Sequence, residues 1–290
     1  MSIRTNRNKW RAAKIGGKNI SKIYKNGEII FDYSRPLINP IQGAAIVNIS
    51  GAKNYDFVAP HSGWFRLIVA AAAGSIAANA QTPGQGAVIS HDVYMQQGQR
   101  AICWAAGEAT TGSPFPIAGN GSVNAGYSAV GGDGDLGGGG ASGAEESGFG
   151  GGGASGNGIN GSINNGSSGG GAGIILYKNN NYLDDANWLL LLLCGGGGGN
   201  CGNNGSYRCG GGGGGGGGNG GRTIWALGGT GKYANLANIQ HGGDGSRYSA
   251  GGWGAGNVID VSNPNNPVVV KNRTGNNGSR TGYVQIYPLY

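Results

Sequence analysis

Long apolar runs are missing from this chain of 290 residues, and the longest uniform one, Leu189–Leu193, is far too short to span a membrane. No apolar stretch follows the positive charges of the first 30 residues, so no secretory signal is expected and the product should be soluble and made in the cytosol. Proline is scarce, at 9 residues, and glycine does not recur at every third position, which excludes collagen. Charged side chains make up only 11%, so asparagine, serine and glycine supply most of the polar surface. The three histidines, His61, His91 and His241, are scattered among turn and strand positions and form no catalytic or metal-binding pattern.

Cysteine is equally sparse. Cys103 stands alone, while Cys194, Cys201 and Cys209 cluster at intervals that match no common zinc spacing, with no histidine beside them. Small packed thiols are the expectation, with a disulfide inside the cluster left open. The acid pairs Asp133/Asp135, Glu145/Glu146 and Asp184/Asp185 sit in loops and diverge, so they do not supply two carboxylates across a cleft. Gly132–Asp133–Gly134–Asp135 lacks a further acidic ligand for calcium. The glycine runs lack the strand, lysine and helix context of a phosphate loop. No catalytic residue, metal or cofactor is expected, and the chain does not read as an enzyme.

Glycine is what the chain has instead, at 67 residues. Nine stand together from Gly210 to Gly218, and Gly195–Gly199, Gly150–Gly153 and Gly137–Gly140 repeat the theme. A segment without Cβ atoms loses the most backbone entropy on ordering and has no side chains to bury. It stays disordered unless backbone hydrogen bonds to close neighbours hold it. Here the runs alternate with strongly apolar stretches, and 6 Trp and 13 Tyr accompany them, unlike a disordered linker. The expected ordered form is a packed bundle of polyglycine-II helices, each with three residues per turn and all its polar groups pointing outward. Nine residues would then span roughly 28 Å.

The formal net charge is +7, and all of it lies in residues 1–35, where nine Lys/Arg face only Glu28 and Asp32. Charge confined to one short segment reads as a docking arm for an acidic protein partner, not as a nucleic-acid surface. No Arg-Gly-Gly triplet occurs. Within the arm, Ile20–Lys25 and Glu28–Phe31 flank Asn26–Gly27, a strong hairpin signal. Trp10, Arg11, Lys14, Lys18, Ile23, Tyr24, Lys25 and Phe31 are the candidate docking residues. Residues 36–43, with Pro36 and Pro40, are the linker.

From residue 44 onward short strands follow one another. Ala44–Ile49, Tyr55–Pro60 and Trp64–Ala70 come first, the last apolar enough to be buried on both faces. Ala87–Gln96 and Arg100–Ala105 are expected to pair around Gln97–Gly98–Gln99. Ile174–Tyr177 and Trp188–Cys194 break the glycine territory of about 131–256. Asn257–Val261 pairs with Val268–Asn272, and Gly282–Tyr287 closes the chain. No amphipathic helix is evident. The class is all-β, a short-strand sandwich or jelly-roll-like domain over residues 44–290.

Phe57–Val58–Ala59–Pro60, then Gly63 and an apolar strand, resembles the opening of glycine-rich domains in phage tail-fibre proteins. Gly98–Gln99 matches their turn, Leu189–Gly199 their apolar strands leading into glycine runs, and Gly282–Tyr287 their closing strand. The resemblance covers roughly residues 44–290 and does not extend to Trp10–Tyr33. Within that class the chain is similar to the small adhesins that cap the long tail fibres of T-even-like phages. What the resemblance implies is a virion protein at a fibre tip, synthesised in the host cytoplasm. It would bind a bacterial cell-surface receptor, either an outer-membrane protein or a glycan, through loops on a polyglycine-II sandwich. Residues 1–35 would hold a tail-fibre or other virion protein, with the chain a homotrimer or a monomer on a trimeric fibre.

The loops supply suitable chemistry, because aromatics and arginine anchor interfaces and Tyr, Ser, Gly and Asn form an adaptable binding mixture. The candidates are Tyr182, Tyr207, Arg208, Arg222, Trp225, Lys232, Tyr233, His241, Arg247, Tyr248 and Trp253. The alternative is that these aromatics are lids on a purely structural virion or surface protein. A secreted ice-binding or silk-like protein fits less well, given the irregular glycine spacing.

Overall fold

The computed structural model describes residues 40–51, 53–74, 83–106, 169–199, 212–222, 230–246, 250–279 and 281–290, together with the backbone of six short strands outside those ranges. Among the described residues, sixteen strands occur in chain order. They are β1 (Ala13–Ile15), β2 (Lys18–Ile20), β3 (Lys22–Lys25), β4 (Glu28–Asp32), β5 (Val47–Ser50), β6 (Lys53–Val58), β7 (Gly63–Ala70) and β8 (Val88–Met95). They continue with β9 (Arg100–Ala105), β10 (Asn157–Gly158), β11 (Ala172–Tyr177), β12 (Trp188–Cys194), β13 (Arg208–Cys209), β14 (Ala255–Asp260), β15 (Val268–Thr274) and β16 (Tyr283–Leu289). Among the described residues the only helical element is a 3-10 turn at Asp185–Asn187. No helix there is long and apolar enough to cross a membrane.

The protein is all-β. Two antiparallel sheets, ordered β5-β16-β7-β8 and β15-β14-β12-β11-β9-β6, face each other as a sandwich. Alternation builds the interior. Phe65, Leu67 and Val69 of β7 and Val284 and Ile286 of β16 meet Ile174, Leu176, Leu190, Leu192 and Val258 of the larger sheet. Each such side chain contributes roughly 1.5–3 kcal/mol when fully buried.

The five successive leucines of β12 are good helix formers by propensity. They adopt a strand because β11 and β14 ladder them on both edges. Both faces are also buried: Leu190 and Leu192 turn inward, while Leu191 and Leu193 join a second cluster on the outer face of the six-stranded sheet. β7 is less complete, with Arg66 and Ile68 half-exposed on the outer face of its sheet. Arg66 there forms a two-pronged ion pair with Asp92, at 2.8 and 2.9 Å.

One strand pairing differs from expectation. β8 and β9 do not form a hairpin: β8 pairs with β7, while β9 pairs with β6 and β11 in the other sheet. The Gln97–Gly98 turn, with Gly98 at φ +82°, reverses the chain as anticipated. A turn sets direction only, and both edges of β9 are already filled by strands of the larger sheet. The hairpin expected in the basic arm is formed. β3 and β4 pair antiparallel with Ile23 opposite Phe31 and Tyr24 opposite Ile29, and the additional pair β1–β2 sets Lys14 opposite Asn19. β14 and β15 pair as expected.

At one end of the sandwich the strands run into glycine. The segments 71–74, 84–87, 169–171, 195–199 and 251–254 continue or precede β7, β8, β11, β12 and β14, and they carry no ladder of their own. Their backbones bond directly. Gly195 donates to the Ala255 carbonyl, and its own carbonyl accepts from Ala87. The Gly196 carbonyl accepts from Gly214, and Gly197 donates to Ala72 while accepting from Gly169. Gly198 donates to Gly252 and accepts from Gly84. Four consecutive residues thus bond to seven separate positions in different directions, which a ladder in one plane cannot do. The runs Gly137–Gly140 and Gly150–Gly153 lie outside the described residues.

Cys103 and Cys194 are free buried thiols, and burial pushes both well above the usual thiol range. A disulfide through Cys194 is therefore not formed. Cys201 lies outside the described residues, and only the backbone of Cys209 is placed. His91 sits half-buried on edge strand β8, facing Lys271 of β15 and Asp260 of β14, with Asp92 adjoining. Burial first, then Lys271, holds its pKa below 6.5. The folded state therefore keeps His91 neutral where the unfolded chain takes up a proton. Stability should fall as pH drops below about 6.5, and His91→Gln should make the decline of Tm between pH 7 and pH 5 shallower.

Candidate functional site

The aromatic candidates separate by environment. Thr230–Ile239 runs as consecutive turns, with Leu236 donating its amide to Tyr233 and Ile239 to Leu236 at 3.0 and 3.3 Å. Residues three apart eclipse in such turns, so Tyr233, Leu236 and Ile239 fall on one side. That side covers Ile102, Ile175, Leu191, Leu193 and Ile259 on the outer face of the six-stranded sheet. Tyr182 closes the same cluster from the 178–187 loop, its ring 6.0 Å from that of Tyr177. Burial pushes the Tyr233 phenol up, as a lid residue requires.

Lys232 is exposed at the rim of this lid. Its ammonium lies 4.8 Å from the centre of the Trp188 ring and 6.0 Å from that of Tyr233, and it pairs with Asp185 at 2.6 Å. The 3-10 turn sets Asp185 there. Asp184 caps the turn by accepting from the Ala186 amide, and the Trp188 indole donates to the Tyr182 carbonyl at 2.5 Å. Lys232, Tyr233 and Tyr182 are thus brought together. Nothing in the sequence marks Asp185 and Trp188 as their partners; the Asp184–Asp185 pair shows there only as two acids in a loop.

A polar network next to this rim also escaped sequence reasoning. Asp56 accepts from the Tyr177 hydroxyl at 2.9 Å and from the Arg100 guanidinium, which in turn donates to Asn180 at 3.3 Å. Burial, then the bond to Asp56, raises the Tyr177 phenol to about 12. Two strands in adjacent register place Asp56 and Arg100 on one face. Nothing local in the sequence signals that register.

The second group lies in the glycine bundle. His241 accepts the Asn219 amide at Nδ1, 2.9 Å away. Arg222 and Asp244 adjoin, with the Asp244 carboxylate accepting the Arg222 amide at 2.7 Å. Trp253 is 50% exposed, and Gly243 donates its amide to the Trp253 carbonyl at 2.7 Å. Arg222, His241 and Trp253 are thus held by the bundle, whereas Tyr182 and Tyr233 belong to the sheet's lid. Tyr207, Trp225, Arg247, Tyr248, Trp10 and Arg11 lie outside the described residues. Only the backbone is placed for Arg208, Lys14, Lys18, Ile23, Tyr24, Lys25 and Phe31.

Among the described residues no group of three or more His, Cys, Asp or Glu is placed to hold a metal ion. Gly132–Asp135 and Glu145/Glu146 lie outside them. No protein-family model matches the chain, and no curated protein matches it in sequence.

Proposed function

We propose that this chain is a virion adhesin of the glycine-rich tail-fibre kind, binding a bacterial surface receptor through groups carried on a polyglycine-II bundle. One observation carries the reading. Gly195–Gly198 bonds outward in several directions to neighbouring segments, and the same bundle holds exposed Arg222, His241 and Trp253. Side chains on so fixed a base lose little further freedom on binding, which favours recognition. The basic arm of residues 1–35 is the attachment to an acidic fibre or virion protein. Many copies of a weak contact would supply avidity.

A second reading has its own observation. Tyr182 and Tyr233 are packed lids, as a purely structural virion component would have them. The two readings separate in a binding experiment. Replacing residues 222–253 outright would strip the second apolar cluster, so only exposed groups are changed. Fluorescent full-length chain is mixed with a panel of Gram-negative bacteria. Saturable binding to a subset of strains is expected, and Arg222→Ala combined with Trp253→Ala should weaken it at least about tenfold. Lys14→Glu with Lys18→Glu should leave it unchanged. Failure to bind any strain, or binding indifferent to the first pair, would favour the structural reading.

A further inference from the structure

The half-exposed Trp253 indole has one face seated on backbone. A Cβ built on Gly243 would stand 2.7, 2.7 and 2.8 Å from Cε2, Nε1 and Cδ2 of that ring. Points almost equidistant from three atoms of one ring lie on its normal, so Gly243 sits beneath the ring's face and not at its edge. With that face on the backbone, Trp253 as a whole is still 50% exposed. Gly243 and the Trp253 carbonyl are hydrogen-bonded, and Gly213 donates in turn to the Gly243 carbonyl at 2.9 Å, so the ring's seat is fixed.

The surroundings are polar. Asp244 follows Gly243 directly, and its carboxylate accepts the Arg222 main-chain amide at 2.7 Å. Gly252 and Gly254 flank the tryptophan, and a Cβ built on Gly275 would stand 3.1 Å from the Trp253 Cβ. A single flat ring set among glycines, with Asp244 and Arg222 on the adjoining segments, is no apolar pocket for a protein's hydrophobic anchor. It suits a ligand with one apolar face and a hydroxylated edge. A pyranose is such a ligand: its axial C–H groups carry slight positive charge and pack on the negative face of an aromatic ring. Its hydroxyls donate hydrogen bonds to a carboxylate and accept them from a guanidinium.

From this we infer that Trp253 is a stacking platform for a pyranose of a cell-surface glycan, with Asp244 and Arg222 holding the sugar's hydroxyls. The inference rests on the adhesin reading for the source of the glycan. Its geometry stands without that reading.

The probe is a printed array of bacterial lipopolysaccharides and capsular polysaccharides, overlaid with full-length chain. The chain should bind at least one pyranose polymer. Trp253→Ala should weaken that binding at least about tenfold, the loss typical of a truncated aromatic anchor. Trp253→Tyr should keep it within about threefold. Gly243→Ala should weaken it as well, since the three atoms nearest the added methyl all belong to the Trp253 ring, which must lift. Unfolding midpoints are read alongside, and the tyrosine and Gly243 variants decide the matter if truncation unfolds the chain. An array on which the native chain binds nothing, or on which Trp253→Ala binds equally, overturns the platform. Since no cells are present, the two proposals fail separately. Strain binding lost in the paired variant, with an empty array, keeps an adhesin for a protein receptor and discards the platform. Array binding lost in Trp253→Ala, without attachment to any strain, keeps the platform and discards the adhesin.

Discussion

Alanine at Gly254 is expected to keep this protein from folding. The added Cβ would lie inside the Gly195 carbonyl, with the Gly195 carbonyl carbon at 2.5 Å and the Gly196 oxygen at 3.0 Å. Every one of these is a backbone atom. Overpacking against side chains typically costs about 1–3 kcal/mol because rotamers give way. Here nothing can rotate. Gly195 is bonded to Ala255 and Ala87, and Gly254 itself donates to Gln85 at 2.8 Å. Relief means parting several hydrogen-bonded segments together, at a cost above about 4 kcal/mol. Against a total stability of roughly 5–15 kcal/mol, that leaves little folded protein.

Gly84→Ala and Gly197→Ala should behave alike, since each new methyl would meet the backbone of Gly252 or Gly84. Gly278→Ala is the control: the nearest heavy atom to its Cβ is a side-chain nitrogen of Gln85 at 4.0 Å, and a change within about 0.5 kcal/mol is expected. Soluble yield and urea unfolding distinguish these outcomes. If Gly254→Ala unfolded at the native midpoint, the glycine segments would not be in backbone contact.

Loss of Asn257 should release the lid from the six-stranded sheet. This side chain is fully buried, and its amide nitrogen donates to the Gly216 and Gln240 carbonyls at 2.6 and 2.9 Å. Its oxygen accepts the Gln240 amide at 2.9 Å. One residue of β14 thereby ties the long glycine run and the lid segment to the sheet. Asn257→Ala leaves one buried and two part-buried backbone groups without this partner, at up to about 1–3 kcal/mol each before relaxation. A net loss of about 3 kcal/mol or more is expected, with faster hydrogen exchange at Gln240 and proteolysis between Thr230 and Gly243. Asn272→Ala removes one exposed bond to the Asn238 carbonyl and should cost about 1 kcal/mol. Unchanged protection at Gln240 in Asn257→Ala would show that the lid is held by its apolar contacts alone.

Much of the strand content was legible. Trp188–Cys194 is β12 residue for residue, and Trp64–Ala70 and Arg100–Ala105 match β7 and β9 to within one position. These segments are apolar and bounded by glycine or turn residues, so local pattern and burial agree. The sheet that takes each strand was not legible: β8 and β9 are joined by a hairpin-like turn yet belong to different sheets. Of the candidate site, the residue types were found, but not their roles. Tyr182, Tyr233 and Trp253 look alike in sequence, yet the first two seal the cluster around Leu191 and Leu193 while the third is half open. The spacing of Tyr233, Leu236 and Ile239 by three was a readable sign of a one-sided lid.

What the sequence determined by itself was that no Cβ would stand in the way along the glycine runs, and that apolar strands would carry the chain into them. Both follow from composition and local order. Tertiary structure alone decided which backbones approach one another, which aromatic covers the sheet and which ring is left facing water. Those outcomes depend on partners far apart in the chain, such as Gly254 with Gly195 or Trp253 with Gly275, and a local pattern holds no record of distance through space.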